Sequence, residues 1–109
     1  MMLPYTIDEI KIRITPIAQK YKLAAVYLFG SYARGDANEN SDIDLLVDLS
    51  GSTVRGILLG QLYSDLEQAL ETSIDLVTVS SLKQPLMHNS DKLFRDTINK
   101  ERKIIYAVA

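Results

Sequence analysis

Apolar positions recur along this chain with two different periods, and each change of period marks an element. Ile7, Ile10, Ile14, Ile17 and Tyr21 stand at three- and four-residue steps, the spacing of one helical face. Thr6 with Glu9 behind it has the form of a capping box, so a first helix is predicted from about Thr6 to Tyr21. Pro16 lies inside that pattern and lacks the amide a helical bond needs, which predicts a kink or early loosening between Arg13 and Pro16. From Leu23 to Phe29 the apolar run is nearly continuous, as in a strand covered on both faces. Glycine, serine, asparagine and charge replace it from Gly30 to Ser41, a turn-rich connection with room for one helical turn. A second strand is predicted over Ile43 to Leu49. Ser52 or Thr53 is placed to cap a further helix in which Val54, Leu58, Leu62, Leu66 and Leu70 form a stripe, widened by Ile57 and Ala69. A third strand is expected over Ile74 to Val79. Helix follows in the second half at least of Leu82 to Lys100, with Leu93, Phe94 and Ile98 able to pack, and Ile104 to Ala107 reads as a closing strand.

That order predicts an α+β fold, a small mixed sheet with helices packed on it; strand order and connection handedness are not legible in it. With 109 residues, 47% hydrophobic and 24% charged, the chain is expected to form one domain over residues 1–109, without room for a second. No apolar run approaches the roughly 18 residues of a spanning helix, so no membrane association is expected. The start, Met1 to Tyr5, lacks the basic and apolar regions of an export signal, which makes the cytoplasm the default location. There is no cysteine, which removes disulfides and thiolate chemistry, and any metal must be held by oxygen or imidazole. His88 is the only histidine; without a patterned partner it reads as an ordinary surface or interface residue. The net charge of -2 disfavours a long nucleic acid as ligand.

Against that background two short segments stand out. Asp42 and Asp44 lie two apart at the mouth of the second strand, so alternation places both on one face, separated by two rises of about 3.3 Å. Carboxylates so placed can share a pair of metal ions, which in two-metal sites stand about 3.5–4 Å apart. Taken alone, such a pair is as ordinary as any solvated strand end. Asp75 changes the balance, because it interrupts the apolar run of the third strand and would be costly to bury unpaired; a metal would satisfy it, and so would a buried Arg or Lys. An EF-hand is ruled out by Val47 and Thr53, which stand where that loop needs glycine and glutamate.

Gly30 and Ser31 end the first strand, with Arg34 and Gly35 shortly after. Backbone amides at such a turn can face an anion, the serine hydroxyl can add a hydrogen bond, and Arg34 can add charge. An ordinary turn has the same composition. Neither a P-loop nor a dinucleotide-binding glycine turn is present.

Taken together, Leu28-Phe29-Gly30-Ser31-Tyr32-Ala33-Arg34-Gly35 and Ser41-Asp42-Ile43-Asp44-Leu45-Leu46-Val47 closely resemble the signature of the minimal nucleotidyltransferases of the DNA polymerase beta superfamily: Gly-Ser, ten residues, then Asp-x-Asp. Tyr32 to Ser41 supplies the ten, and Ile74-Asp75-Leu76-Val77 resembles the segment bearing that family's third catalytic aspartate. The resemblance extends over most of the chain, without departure at a motif position. It implies a polymerase-beta-like nucleotidyltransferase fold. Gly30, Ser31 and Arg34 would bind ATP or another NTP, and Asp42, Asp44 and Asp75 would be both catalytic and metal-ligating. Two Mg²⁺ ions are implied, with Mn²⁺ as a substitute. Small members of the family pair with helical HEPN toxins and adenylylate a tyrosine on them, so the implied role is that of an antitoxin-type protein adenylyltransferase in a homo- or hetero-oligomer. Two other readings are a nucleotidyltransferase acting on a small molecule, and a module that neutralises the toxin by contact alone.

Overall fold

The computed structural model describes residues 5–82 and 89–108. Helix α1 (Ile7–Lys20) is followed by β1 (Ala25–Phe29), the short helix α2 (Gly30–Arg34), β2 (Ile43–Asp48), α3 (Ile57–Leu70), β3 (Ile74–Thr78), the single turn α4 (Val79–Leu82), α5 (Asn89–Glu101) and β4 (Lys103–Ala107). The strands form one sheet in the order β3-β2-β1-β4. β1 is antiparallel to both β2 and β4, whereas β2 and β3 are parallel. A parallel pair needs a long crossover, and α3 supplies it. The sheet is therefore mixed, as the element order predicts.

The capping box at Thr6 is present in both directions: the Glu9 amide donates to Thr6 Oγ1 at 3.0 Å and the Thr6 amide to Glu9 Oε1 at 3.1 Å. Pro16 does not end α1, which continues to Lys20. The proline is on the exposed side of the helix, where the carbonyl it leaves without a partner can be met by water. Leu23 is fully buried but precedes β1, following a turn in which Lys22 has φ 54°. The cap expected for α3 at Ser52 or Thr53 is not used: the helix starts four residues later, at Ile57, behind Gly56. Ser52 instead donates its hydroxyl to the Tyr21 carbonyl at 2.7 Å and accepts from the Val54 amide, holding Val54 against the core from a loop. Leu62, Leu66 and Leu70 form the buried stripe, while Ile57, expected to widen it, is 85% exposed. The region Leu82 to Lys100 contains α4 and α5; His88 lies outside the described residues.

Alternation divides the sheet into two unlike faces. Val26 and Leu28 of β1, Ile43, Leu45 and Val47 of β2, and Ile74 of β3 meet Ile10, Ile14 and Ala18 of α1 and the α3 stripe in the main core. The opposite face carries a smaller cluster of Phe29, Leu46, Leu82 and Ile98, with Tyr27 and Val77 beside it. Among the described residues α5 covers part of that second face and leaves the remainder open.

Candidate active site

The open part of the second face is where the singled-out residues meet. Phe29 is paired with Asp44 across the antiparallel β1–β2 ladder, so the turn that begins at Gly30 rises directly beside the Asp44 carboxylate. In the parallel β2–β3 ladder Asp44 is paired with Asp75, and residues in register on parallel strands share a face. Gly30, Ser31, Arg34, Asp42, Asp44 and Asp75 all line one cleft of about 670 Å³.

Gly30 is the residue on which this closeness depends. Its φ is +72°, in the left-handed region, and a Cβ built there would run into Asp44 Oδ2 and lie 2.9 Å from Asp44 Cγ. Glycine alone lets the backbone pass so near a carboxylate. The chain then makes one short helical turn, closed by Gly35 at φ +83°, with the amides of Gly35 and Asp36 both donating to the Ser31 carbonyl at 3.0 Å. Before β2, the Asn38 amide donates to Ser41 Oγ and the Ser41 amide to the Asn38 carbonyl. This small knot sets the direction in which Asp42 enters the strand.

Electrostatically the cleft is held under strain by its own carboxylates. Asp44 is raised to about 6, first by burial, then by a hydrogen bond with Asp75, and then by the charges of Asp75 and Asp42; Arg34 opposes the rise. Each of the raising causes favours the uncharged form of Asp44 over its carboxylate. Asp75 itself is exposed, which corrects the expectation of a buried carboxylate in need of a partner. β3 is an edge strand, so its second face is open to water and an aspartate costs little there.

Arg34 is on the cleft wall but already engaged. Its Nε donates to Asp36 Oδ2 at 3.3 Å and its Nη1 to Glu101 Oε1 at 3.2 Å, fastening α2 to the end of α5. Those two bonds leave other guanidinium N–H groups of its five donors for an anion. Glu101, Thr97 and Phe94 of α5 also line the cleft. The sequence pattern flags Phe94 as a packing residue and gives no reason to single out Thr97 or Glu101, since an exposed threonine and glutamate on a helix carry no spacing signal.

The donor set consists of carboxylate and hydroxyl oxygens, which suits a hard divalent cation. Among the described residues no three His, Asp or Glu side chains already close on a point as a finished metal cage. Mg²⁺ characteristically takes one or two carboxylates and completes its shell with water and substrate phosphates, and the arrangement fits that mode of binding.

The family model for polymerase beta nucleotidyltransferases matches residues 13–108. A Methanocaldococcus jannaschii protein provisionally named a protein adenylyltransferase is 36% identical over 93 residues, covering 85% of this chain and 96% of its own. The protein adenylyltransferase MntA of Thermococcus cleftensis is 37% identical over 84 residues, covering 72% of this chain and 82% of that one. Among solved structures, a chain from a toxin–antitoxin complex crystallised with AMP-PNP superposes with a TM-score of 0.67 at 27% identity, over 90% of this chain and 73% of that chain.

Proposed function

We propose that this chain, which belongs to the polymerase beta nucleotidyltransferase family, transfers AMP from ATP to a tyrosine hydroxyl of a helical HEPN-type toxin and so acts as its antitoxin. Residues 1–109 work as a single nucleotidyltransferase domain in the cytoplasm. The observation that carries the reading is the juxtaposition of Asp44 with Asp75 in register and with Gly30, the residue after its cross-strand partner Phe29. It gathers carboxylates and a close-approaching backbone in one cleft. Relatives of similar length are named protein adenylyltransferases, and a structural relative forms a toxin–antitoxin complex with AMP-PNP; both support the choice of AMP and of a protein acceptor.

In this reading Gly30 and Ser31 hold the triphosphate, with Arg34 adding charge from the wall. Asp42, Asp44 and Asp75 hold divalent metal, two Mg²⁺ ions replaceable by Mn²⁺. Metal bound there neutralises the triphosphate and the departing pyrophosphate. Asp75, on the open edge of the sheet, accepts the proton of the acceptor hydroxyl as its oxygen attacks the α-phosphorus. The bond from that phosphorus to the bridging oxygen breaks, and pyrophosphate leaves. The protein's contribution is alignment and fixed charge, on which phosphoryl-type transfer mainly depends.

The test is to mix this protein, ATP and Mg²⁺ with the helical protein encoded beside it and weigh the product. A mass gain of AMP on a tyrosine of the partner, absent with Asp44→Asn, is expected. Equal silencing of the partner by wild type and Asp44→Asn with no mass gain would mean neutralisation by contact alone.

A further inference from the structure

The cleft is lined by two chemically different sets of residues, and the proposed triphosphate and metal roles use one of them. The other includes Phe94 and Thr97 of α5. Phe94 is half exposed although it is a large apolar side chain. It packs edge-to-face on Phe29, with ring centroids 6.4 Å apart and planes at 83°. Phe29 immediately precedes Gly30, so Phe94 stands on the glycine–serine side of the cleft. The ion pair from Arg34 to Glu101 fixes the same helix to the same side. The acceptor side is the other one, where Asp75 sits exposed on the edge strand and a second protein can reach it.

From this geometry we infer that α5 forms the nucleobase wall of the site: Phe94 stacks on the base of the bound nucleotide, and Thr97, one helical turn further on, meets its polar edge. The inference rests on the triphosphate reading of Gly30 and Ser31. Every base has a face on which an aromatic ring can stack, and a threonine hydroxyl both donates and accepts, so this wall does not separate adenine from guanine. It favours purines over pyrimidines, because the larger ring system covers more of Phe94.

The experiment is calorimetric titration of the full chain with Mg²⁺ and ATP, and separately with Mg²⁺ and inorganic tripolyphosphate, which has the phosphates and no base. Phe94→Ala is expected to weaken ATP binding about 5- to 150-fold, the usual range for losing one base–aromatic stack, and to leave tripolyphosphate binding unchanged. Phe94→Trp, which keeps an aromatic face, should bind ATP at least as tightly as wild type, and UTP should bind wild type more weakly than ATP. A parallel loss of ATP and tripolyphosphate in Phe94→Ala would make Phe94 a structural prop of the phosphate site and overturn the inference. Unchanged ATP affinity would also overturn it, placing the base elsewhere. If wild type bound neither ligand, the triphosphate reading itself would fail and the base wall with it. That outcome is distinct from one in which tripolyphosphate binds normally and only the base contribution is missing.

Discussion

The two faces of the sheet are built from the same strands and do opposite work. On β2, Ile43, Leu45 and Val47 enter a core in which each is fully buried, while Asp44 on the other face enters a cleft of carboxylates. The first face holds the domain together: burying one such aliphatic side chain is worth about 1.5–3 kcal/mol. The second face gives some of that stability up, since three aspartates near one another repel when no cation is present. A two-residue period lets a six-residue strand serve both ends, because neighbouring residues never share a face.

The sharpest way to break this division is to change neighbouring residues of β2 one at a time. Asp44→Asn should lower AMP transfer by at least about 10²–10³-fold, as loss of a preorganised charge-stabilising group does, and leave the fold intact. Leu45→Ala, one position on, should cost about 2–5 kcal/mol of stability, read as an earlier midpoint in urea or heat, with activity surviving in whatever fraction remains folded. If Asp44→Asn unfolded the chain, or Leu45→Ala left the midpoint where it was, the two faces would not be separable in this way.

Gly30→Ala tests the contact between the turn and the acidic face. A methyl group there must push Asp44 aside or force the backbone out of φ +72°, so transfer should fall by about 10-fold or more and thermal stability by about 1–3 kcal/mol. A variant with wild-type kinetics would show that the close approach has no part in the chemistry.

A smaller effect should follow pH. Asp44 titrates near 6, above the ordinary carboxylate value that it has in the unfolded chain. Its protonated form is therefore favoured by folding. In metal-free buffer this contribution is fully present below about pH 4 and is lost as pH rises through about 6. Metal binding has the opposite sign, because the ion requires the carboxylate: Mg²⁺ affinity should rise with pH through the same window. Melting temperatures with and without Mg²⁺ should coincide near pH 4 and separate toward pH 8, and Asp44→Asn should remove most of that separation. The same substitution should stabilise the metal-free protein at pH 7 by roughly 1 kcal/mol, a value kept small because the site is partly open to water.

Much of the first face is legible in the sequence, because a buried stripe imposes a period. The α1 positions Ile10 and Ile14 and the α3 positions Leu62, Leu66 and Leu70 fall where their spacing predicts. Helix starts are less legible: Ser52 has the right side chain for a cap but is used by the Tyr21 carbonyl, a partner 31 residues away that no local pattern reveals. The strand order has no local signature either. It also decides whether Asp75 is buried, and the edge position of β3 turns a supposed burial cost into an open approach to the cleft. On the second face the Gly-Ser and Asp-x-Asp segments are visible because glycine and aspartate interrupt apolar runs. The contribution of α5 is hidden, since Thr97 and Glu101 acquire meaning only when the helix lies over β1.

The claim that joins these observations is that the acidic face is a metal-dependent nucleotide site, and calorimetric titration with a non-hydrolysable ATP analogue tests it most directly. Wild type should bind the analogue strongly with Mg²⁺ and weakly with EDTA in its place, and Asp44→Asn should lose most of that difference while melting as a folded protein. Equal affinity with and without the divalent ion in wild type would contradict the account.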